Sequence, residues 1–302
     1  MTKRVLITGI DGFTGRYLAS ALETAGHEVH GLVHRMPDGV SLGAATLHQA
    51  DLADAQRLAQ IVGEVRPHWV AHLAAIAFVA HGDVEAMYRV NLLGTRNLLE
   101  AMSQAPVSNI ESVLIASSAN VYGNSTEGML DENTAPAPAN DYAVSKLAME
   151  YLARLYAGRL PIVVTRPFNY TGAGQAESFL IPKIVAHVRQ GAAVIELGNL
   201  DVARDFSDVR MVVQAYARLL ETPAAIGQTL NVCAGRAYTL NEVLQMVRGL
   251  SHRDMEVRVN PAFVRKNDVK VLLGNRTKLE ACIGGLETID LTETLKWMIE
   301  TD

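Results

Sequence analysis

Between residues 5 and 168 the chain repeats one unit, a short apolar run followed by an amphipathic helical pattern. That alternation narrows the available folds more than any other feature. The apolar runs cover residues 5–8, 28–33, 69–73, 112–116 and 162–165, lengths that suit strands. Helical patterns lie between them at 15–25, 55–65, 85–102 and 142–156. Strands separated by helices pair in parallel through right-handed crossovers, which leave helices on both faces of one sheet. The predicted class is therefore α/β, a doubly wound parallel sheet. After residue 170 the alternation loosens, with helical patterns at 179–190, 209–221, 241–250 and 291–299. Thr239 and Glu242 carry the spacing of a capping box at the start of the third of these. Residues 1–168 read as the sheet domain. Residues 169–302 read as mainly a smaller C-terminal substrate-binding lobe, with a segment near 229–233 returning to the sheet.

Composition removes several classes of function. The net charge is -5 over 302 residues, with no block of like charges, so neither a nucleic-acid partner nor an anionic membrane surface is expected. Two cysteines do not make a disulfide framework. The apolar run after Met1-Thr2-Lys3-Arg4 is too short for a signal peptide, and no stretch approaches membrane-spanning length. The expectation is a soluble cytoplasmic protein.

The first strand ends in Thr8-Gly9-Ile10-Asp11-Gly12-Phe13-Thr14-Gly15, and a helix follows at once. Gly9, Gly12 and Gly15 permit a tight turn, close backbone approach to a pyrophosphate and close helix–strand packing. Phe13 and Thr14 begin the helix whose unpaired N–H groups and positive dipole end would face the phosphates. This is the Rossmann-type signature for a dinucleotide, in its required strand–turn–helix context. The second strand ends Val33-His34-Arg35, without the carboxylate that usually accepts from the ribose 2′-OH of NAD. A cationic Arg35 suits a 2′-phosphate, hence NADP(H) over NAD(H); its bland alternative is an arginine on a surface turn. Asp51 and Leu52 follow a third strand. Asp51 there either meets the adenine or caps the helix beginning near Ala53. The fourth strand continues into Leu73-Ala74-Ala75, small enough for a cofactor to lie across it.

The fifth strand ends in Ser117-Ser118-Ala119-Asn120-Val121-Tyr122-Gly123, and Tyr142-Ala143-Val144-Ser145-Lys146 follows a Pro/Ala-rich loop. Tyr142 and Lys146 share a helix face at i and i+4. A phenol titrates near pKa 10, too high for efficient proton transfer near neutrality. An adjacent ammonium would stabilise the phenolate, and a serine hydroxyl would hold the carbonyl oxygen beside it.

With the glycine turn, His-Leu-Ala-Ala at 72–75, Ser-Ser-x-x-Val-Tyr-Gly at 117–123, Tyr-x-x-x-Lys at 142–146 and Arg-Pro-Phe-Asn at 166–169, the chain resembles an extended short-chain dehydrogenase/reductase from Lys3 to about Trp297. That resemblance implies Ser118 as the catalytic hydroxyl, Tyr142 as the acid/base, Lys146 as the nicotinamide-ribose ligand and Asn169 between cofactor and substrate. Asn91 serves helix architecture. Most extended members act on nucleotide sugars. The stretches 198–206 and 265–268 resemble their diphosphate elements, which makes Arg204, Arg265 and Asp268 substrate-side candidates, and Asn120 beside Ser118 is another. Two arginines can clamp a pyrophosphate by charge-assisted bidentate bonds. Within the family the likeness is greatest to reductases of GDP-4-keto-6-deoxy-D-mannose, although Lys266 and Asp268 stand where Pro and Glu are expected. Ala119 and Asn120 occupy positions where nucleotide-sugar dehydratases carry acids, which leaves C4 ketone reduction. A 4-epimerase retaining NAD and an idle NADP-binding regulator are the alternatives. Family members often form homodimers through the helices near 85–102 and 142–156.

Overall fold

A computed structural model describes residues 1–37, 42–77, 83–105, 109–124, 128–264 and 270–301. In chain order the first half gives β1 (Arg4–Thr8), α1 (Phe13–Thr24), β2 (Glu28–Val33), β3 (Thr46–Gln49), α2 (Ala55–Val65), β4 (Trp69–His72), α3 (Val84–Tyr88), α4 (Thr95–Ser103), β5 (Ser112–Ala116), α5 (Asp141–Arg154) and β6 (Ile162–Pro167). The second half gives β7 (Asn169–Thr171), α6 (Leu180–Arg189), β8 (Val194–Leu197), β9 (Ala203–Asp208), α7 (Val209–Glu221), β10 (Thr229–Val232), β11 (Ala237–Thr239), α8 (Leu240–Ser251), β12 (Glu256–Val259), β13 (Val271–Leu272), α9 (Thr277–Ile283) and α10 (Leu291–Glu300).

Seven strands form one sheet in the order β10-β6-β5-β4-β1-β2-β3, every pair parallel. The order reverses between β1 and β4, and ligands of open α/β sheets bind at the carboxyl ends beside such a reversal. β1, β4 and β5 read as continuous apolar runs because helices cover both faces. One core packs Leu18 and Leu22 of α1 with Val212 and Leu219 of α7, Leu230 of β10 and Leu279 of α9. The other packs Leu58 and Ile61 of α2, Leu98 of α4 and Met149 of α5. Each such side chain taken from water contributes about 1.5–3 kcal/mol. The first core therefore draws α7, β10 and α9 from beyond residue 168. A smaller core joins α6, α8 and α10 through Ile184, Val243 and Leu295, with Phe206 of β9. The capping box at α8 forms, with Thr239 and Glu242 satisfying each other's backbone N–H groups.

The single helix expected over 85–102 is α3 and α4 joined by a π-helical turn, Arg89–Gly94. β7, β8, β9, β11, β12, β13 and α9 were not foreseen; most are short strands in two small sheets beside the main one. Among the described residues no helix is long and apolar enough to cross a membrane.

Candidate active site

The glycine turn is held by contact on both sides. Gly9 has φ +68°, and a Cβ there would sit 2.9 Å from Ala74 Cα, so the exit of β1 lies against the exit of β4. A Cβ on Gly15 would fall 2.2 Å from the Gly9 carbonyl oxygen, so only glycine lets α1 start this close to β1. Gly12 is the N-cap of α1; it supplies no side-chain cap, and the first turn has no acidic residue. This backbone cradle fits a dinucleotide pyrophosphate. The side chains of Phe13 and Thr14 face the second half of the chain. Thr14 Oγ1 lies 2.8 Å from the Tyr170 hydroxyl. The Phe13 ring stacks on Tyr170 with centroids 6.1 Å apart, and Tyr17 donates to the Ala173 carbonyl at 2.7 Å. For a phosphate, Phe13 and Thr14 therefore offer backbone N–H groups.

At the exit of β4 one chain of hydrogen bonds fixes both position and protonation. The Thr95 hydroxyl donates to the Asn91 carbonyl, so it accepts from His72 Nε2–H at 2.8 Å. His72 Nδ1 then accepts from the Thr8 hydroxyl at 2.7 Å, and Thr8 Oγ1 accepts from the Ala74 N–H. Burial, with Lys146 nearby, pushes the His72 pKa down to about 3, so the ring stays neutral. Asn91, in the π-helical turn, exchanges two hydrogen bonds with the Ile76 backbone and donates to Ser145 Oγ of α5 at 3.0 Å. The half-buried exit Leu73-Ala74-Ala75 is thereby tied to β1, α5 and the π turn. The architectural role expected of Asn91 takes this form.

Further along the carboxyl edge of the sheet, parallel β2 and β3 bring Arg35 and Asp51 to adjacent strand ends, both exposed. Asp51 accepts from the Ala53 N–H at 2.8 Å and lies 3.5 Å from His34 Nε2. It does not cap the helix: α2 begins at Ala55, and Asp54 accepts from the Arg57 N–H. The extra turn through Ala53 separates the two aspartates. Leu52 is buried in the core, and its carbonyl accepts from Asn97.

Ser118, Tyr142 and Lys146 come together, 6%, 7% and 4% exposed. Asn140 caps α5, which puts Tyr142 in its first turn beside Ser118. Ser118 Oγ accepts from the Asn120 backbone N–H at 3.2 Å and from its side-chain amide at 3.1 Å. Lys146 Nζ donates to the Ala116 carbonyl at the end of β5, 2.8 Å away. Burial lowers the Lys146 pKa to about 8, opposed by the Glu150 carboxylate. The Tyr142 phenol moves the other way: burial pushes it up to about 12, opposed by a hydrogen bond from Ser118. The expectation that Lys146 holds the phenol pKa low is thus not met. The i, i+4 spacing does put both groups on one face, but the ammonium is engaged by Ala116 and Glu150, and burial governs the phenol.

On the opposite side Asn169 opens β7, exposed, and pairs with Phe206 of β9. Arg204, half-buried, stands two residues before Phe206 and donates to the Ala203 carbonyl at 2.9 Å. Arg265 and Asp268 lie outside the described residues. Two contributors escaped the sequence reading. Tyr170 staples β7 to the glycine turn. Glu150 and Arg166 form a buried ion pair beneath Ser117; Arg166 opens the Arg-Pro-Phe-Asn stretch, and Glu150 follows Lys146 by one further helical turn, but nothing in the sequence pairs them.

Residues 6–298 match the family described as GDP-mannose 4,6 dehydratase. GDP-6-deoxy-D-talose 4-dehydrogenase of Aggregatibacter actinomycetemcomitans is 32% identical over 93% of this chain and 91% of its own length. GDP-6-deoxy-D-mannose reductase of Pseudomonas aeruginosa is 34% identical over 98% and 96%. Among solved structures, a Burkholderia cenocepacia protein described provisionally as an epimerase superposes with TM-score 0.93 at 51% identity, covering 99% of this chain and 97% of that one. The RMD protein of Pseudomonas aeruginosa, complexed with NADPH, superposes with TM-score 0.82 at 30% identity over 99% and 97%.

Proposed function

The chain belongs to the GDP-mannose 4,6-dehydratase family of extended short-chain dehydrogenase/reductases, and from that premise we propose that it is an NADPH-dependent reductase of a nucleotide-linked 4-keto-6-deoxyhexose. The substrate is GDP-4-keto-6-deoxy-D-mannose. The product is GDP-D-rhamnose, which is GDP-6-deoxy-D-mannose, or its C4 epimer GDP-6-deoxy-D-talose. The two sugars named for the relatives are these two products, each one hydride and one proton from the same ketone.

One observation carries the choice of reaction within a family named for a dehydration. Elimination of water needs an acid beside the catalytic hydroxyl to protonate the leaving group. Here Ser118 is followed by Ala119, 2% exposed and packed with Val121, Leu130 and Phe168, and then by the amide Asn120. Neither moves a proton. Ketone reduction asks only for a positioned proton donor. Tyr142, pushed up to about 12 by burial, carries its proton at neutral pH and so enters the reaction in its donor form.

Gly9, Gly12, Gly15 and the N–H groups of Phe13 and Thr14 hold the pyrophosphate. Arg35 meets the 2′-phosphate, and Asp51 and Leu52 adjoin the adenine. Leu73, Ala74 and Ala75 support the dinucleotide midway, and Lys146 with Tyr142 flanks the nicotinamide ribose. When bound, the reduced nicotinamide supplies the hydride. Ser118 holds the C4 oxygen, and Tyr142 gives it a proton while the Lys146 ammonium, one helical turn along, holds the nicotinamide ribose. Asn120 and Asn169 orient the hexose, and Arg204, with Arg265, clamps the diphosphate while Asp268 accepts from the nucleoside ribose. The protein acts in the cytoplasm as a homodimer, joined through the exposed Leu93, Val144, Tyr151 and Leu155 of the π turn and the α5 segment.

The test is NADPH oxidation with a panel of GDP-, dTDP- and UDP-4-keto-6-deoxy sugars, with the GDP ketone consumed fastest. An epimerase reading draws on the Burkholderia relative. It predicts C4 inversion on retained NAD with no net NADPH consumption, and that outcome would replace the reductase.

A further inference from the structure

Beneath the Ser118 turn lies a continuous chain of buried polar side chains that the proposed reaction does not use. The Ser117 hydroxyl donates to Glu150 Oε1 at 2.6 Å. Arg166 of β6 donates Nε–H to the same oxygen at 2.9 Å and Nη2–H to Oε2 at 2.7 Å. Its third nitrogen donates to the Tyr122 hydroxyl at 3.1 Å. Tyr122 donates in turn to Asn231 Oδ1 of β10 at 2.7 Å, and Asn231 donates to the Leu130 carbonyl at 3.0 Å. Glu150 and Arg166 are 1% and 3% exposed.

The placement matters more than the count of bonds. Ser118 opens the 3₁₀ turn that continues through Ala119–Tyr122. The Glu150–Arg166 pair grips that turn at both ends: Ser117 through the carboxylate, Tyr122 through the guanidinium. Glu150 also stands one helical turn beyond Lys146 and two beyond Tyr142, so one carboxylate references the serine turn to the helix carrying the other two groups. A buried ion pair is weak evidence of stabilisation, because an apolar pair of similar volume is often as stable. Specifying geometry gives it a reason to be ionic.

We infer that Glu150, clamped by Arg166 and Ser117, is a positioning residue that sets Ser118 against Tyr142 and stands as the buried carboxylate one helical turn from Lys146. The inference rests on the reductase reading. The charged and titratable groups around Lys146 are Glu150 and Tyr142 on its own helix and His72 from β4, which is held neutral. β5 contributes the Ala116 carbonyl. Glu150 is thus the anion acting on the ammonium, and its loss lets Lys146 release its proton at lower pH.

Two variants test this. Ser117→Ala removes one hydrogen bond while the ion pair stays intact. A bond of that kind is worth about 0.5–1.5 kcal/mol, so kcat should fall roughly 2- to 10-fold, with NADPH affinity and the pH profile unchanged. The triple variant Ser117→Ala, Glu150→Leu, Arg166→Met replaces the buried charges with apolar groups, a change that folds tend to tolerate. There kcat should fall on the order of 100-fold, as for a misplacement of about 1 Å, and its alkaline limb should move to lower pH. A purely structural role would lower the melting temperature and leave that limb in place. A folded triple variant with wild-type kcat and limb overturns the inference; if the triple does not fold, wild-type kcat in Ser117→Ala overturns it alone. Wild-type turnover is measured first, and its absence counts against the substrate reading. The alkaline limb of NADPH affinity then carries the same comparison.

Discussion

The two walls of the candidate site are built differently. On the wall formed by β4, β5 and α5, His72, Asn91, Ser118, Lys146 and Glu150 are buried and partnered, several of them at both ends. On the wall formed by β7 and β9, Asn169 is exposed and Arg204 half-buried, on strands of three and six residues. Near them, Tyr170 and Ala173 are tied to the glycine turn and α1 through Thr14, Phe13 and Tyr17. The contrast separates two tasks. Proton transfer tolerates little displacement and sits where the fold over-determines each atom. Under the proposed function, selection among sugar nucleotides falls to side chains that a few substitutions can alter without disturbing the sheet.

If that division holds, the largest effect belongs to the buried wall. Tyr142→Phe should lower kcat by about 10²–10⁴-fold while NADPH still binds. A folded Tyr142→Phe enzyme reducing its ketone at the wild-type rate would end the scheme. On the open wall, Arg204→Ala should raise the sugar-nucleotide KM about 10- to 100-fold, one charge-assisted contact of about 1.5–3 kcal/mol, and leave kcat and NADPH affinity nearly unchanged. A fall in kcat of the same size would dissolve the distinction between the walls. Arg35→Asp should shift the NADPH-to-NADH affinity ratio by about tenfold or more toward NADH, as titration of each nucleotide would show; a wild type that already prefers NADH contradicts the assignment.

The smallest effect is a matter of pH. Lys146, with a pKa of about 8, loses its proton as pH rises through that value, while Tyr142, near 12, keeps its own. Reductive kcat should therefore decline above about pH 8 with the slope of a single proton. A limb appearing only near 10 would assign it to the phenol and not to the ammonium.

How much of this could be read from the chain depended on sequence distance. The glycine turn needs only seven consecutive residues, and Tyr142 and Lys146 lie one helical turn apart, so both were legible. The Glu150–Arg166 pair and its bond to Ser117 span 16 and 33 residues, and only the assembled sheet brings them together. β9 was hidden for another reason. Its sequence, Ala-Arg-Asp-Phe-Ser-Asp, reads as a loop, because a strand seldom buries two carboxylates. Asp205 accepts from the backbone N–H groups of Ala234 and Gly235, and Asp208 caps α7 and accepts from Thr294. The partners of Asp205 arrive 29 and 30 residues later and Thr294 arrives 86 residues after Asp208, beyond any local pattern.

The neutral His72 also makes the fold answer to acid. A free histidine titrates near 6.5, whereas this one stays neutral until about pH 3. Between those values the unfolded chain takes up a proton that the folded chain refuses. Stability supplied by the neutral ring is complete above pH 6.5 and drains away below it, by about 1.4 kcal/mol per pH unit for this one site. The imidazole that keeps the strand exit rigid is, by the same thermodynamic linkage, an acid sensor for the integrity of the whole sheet.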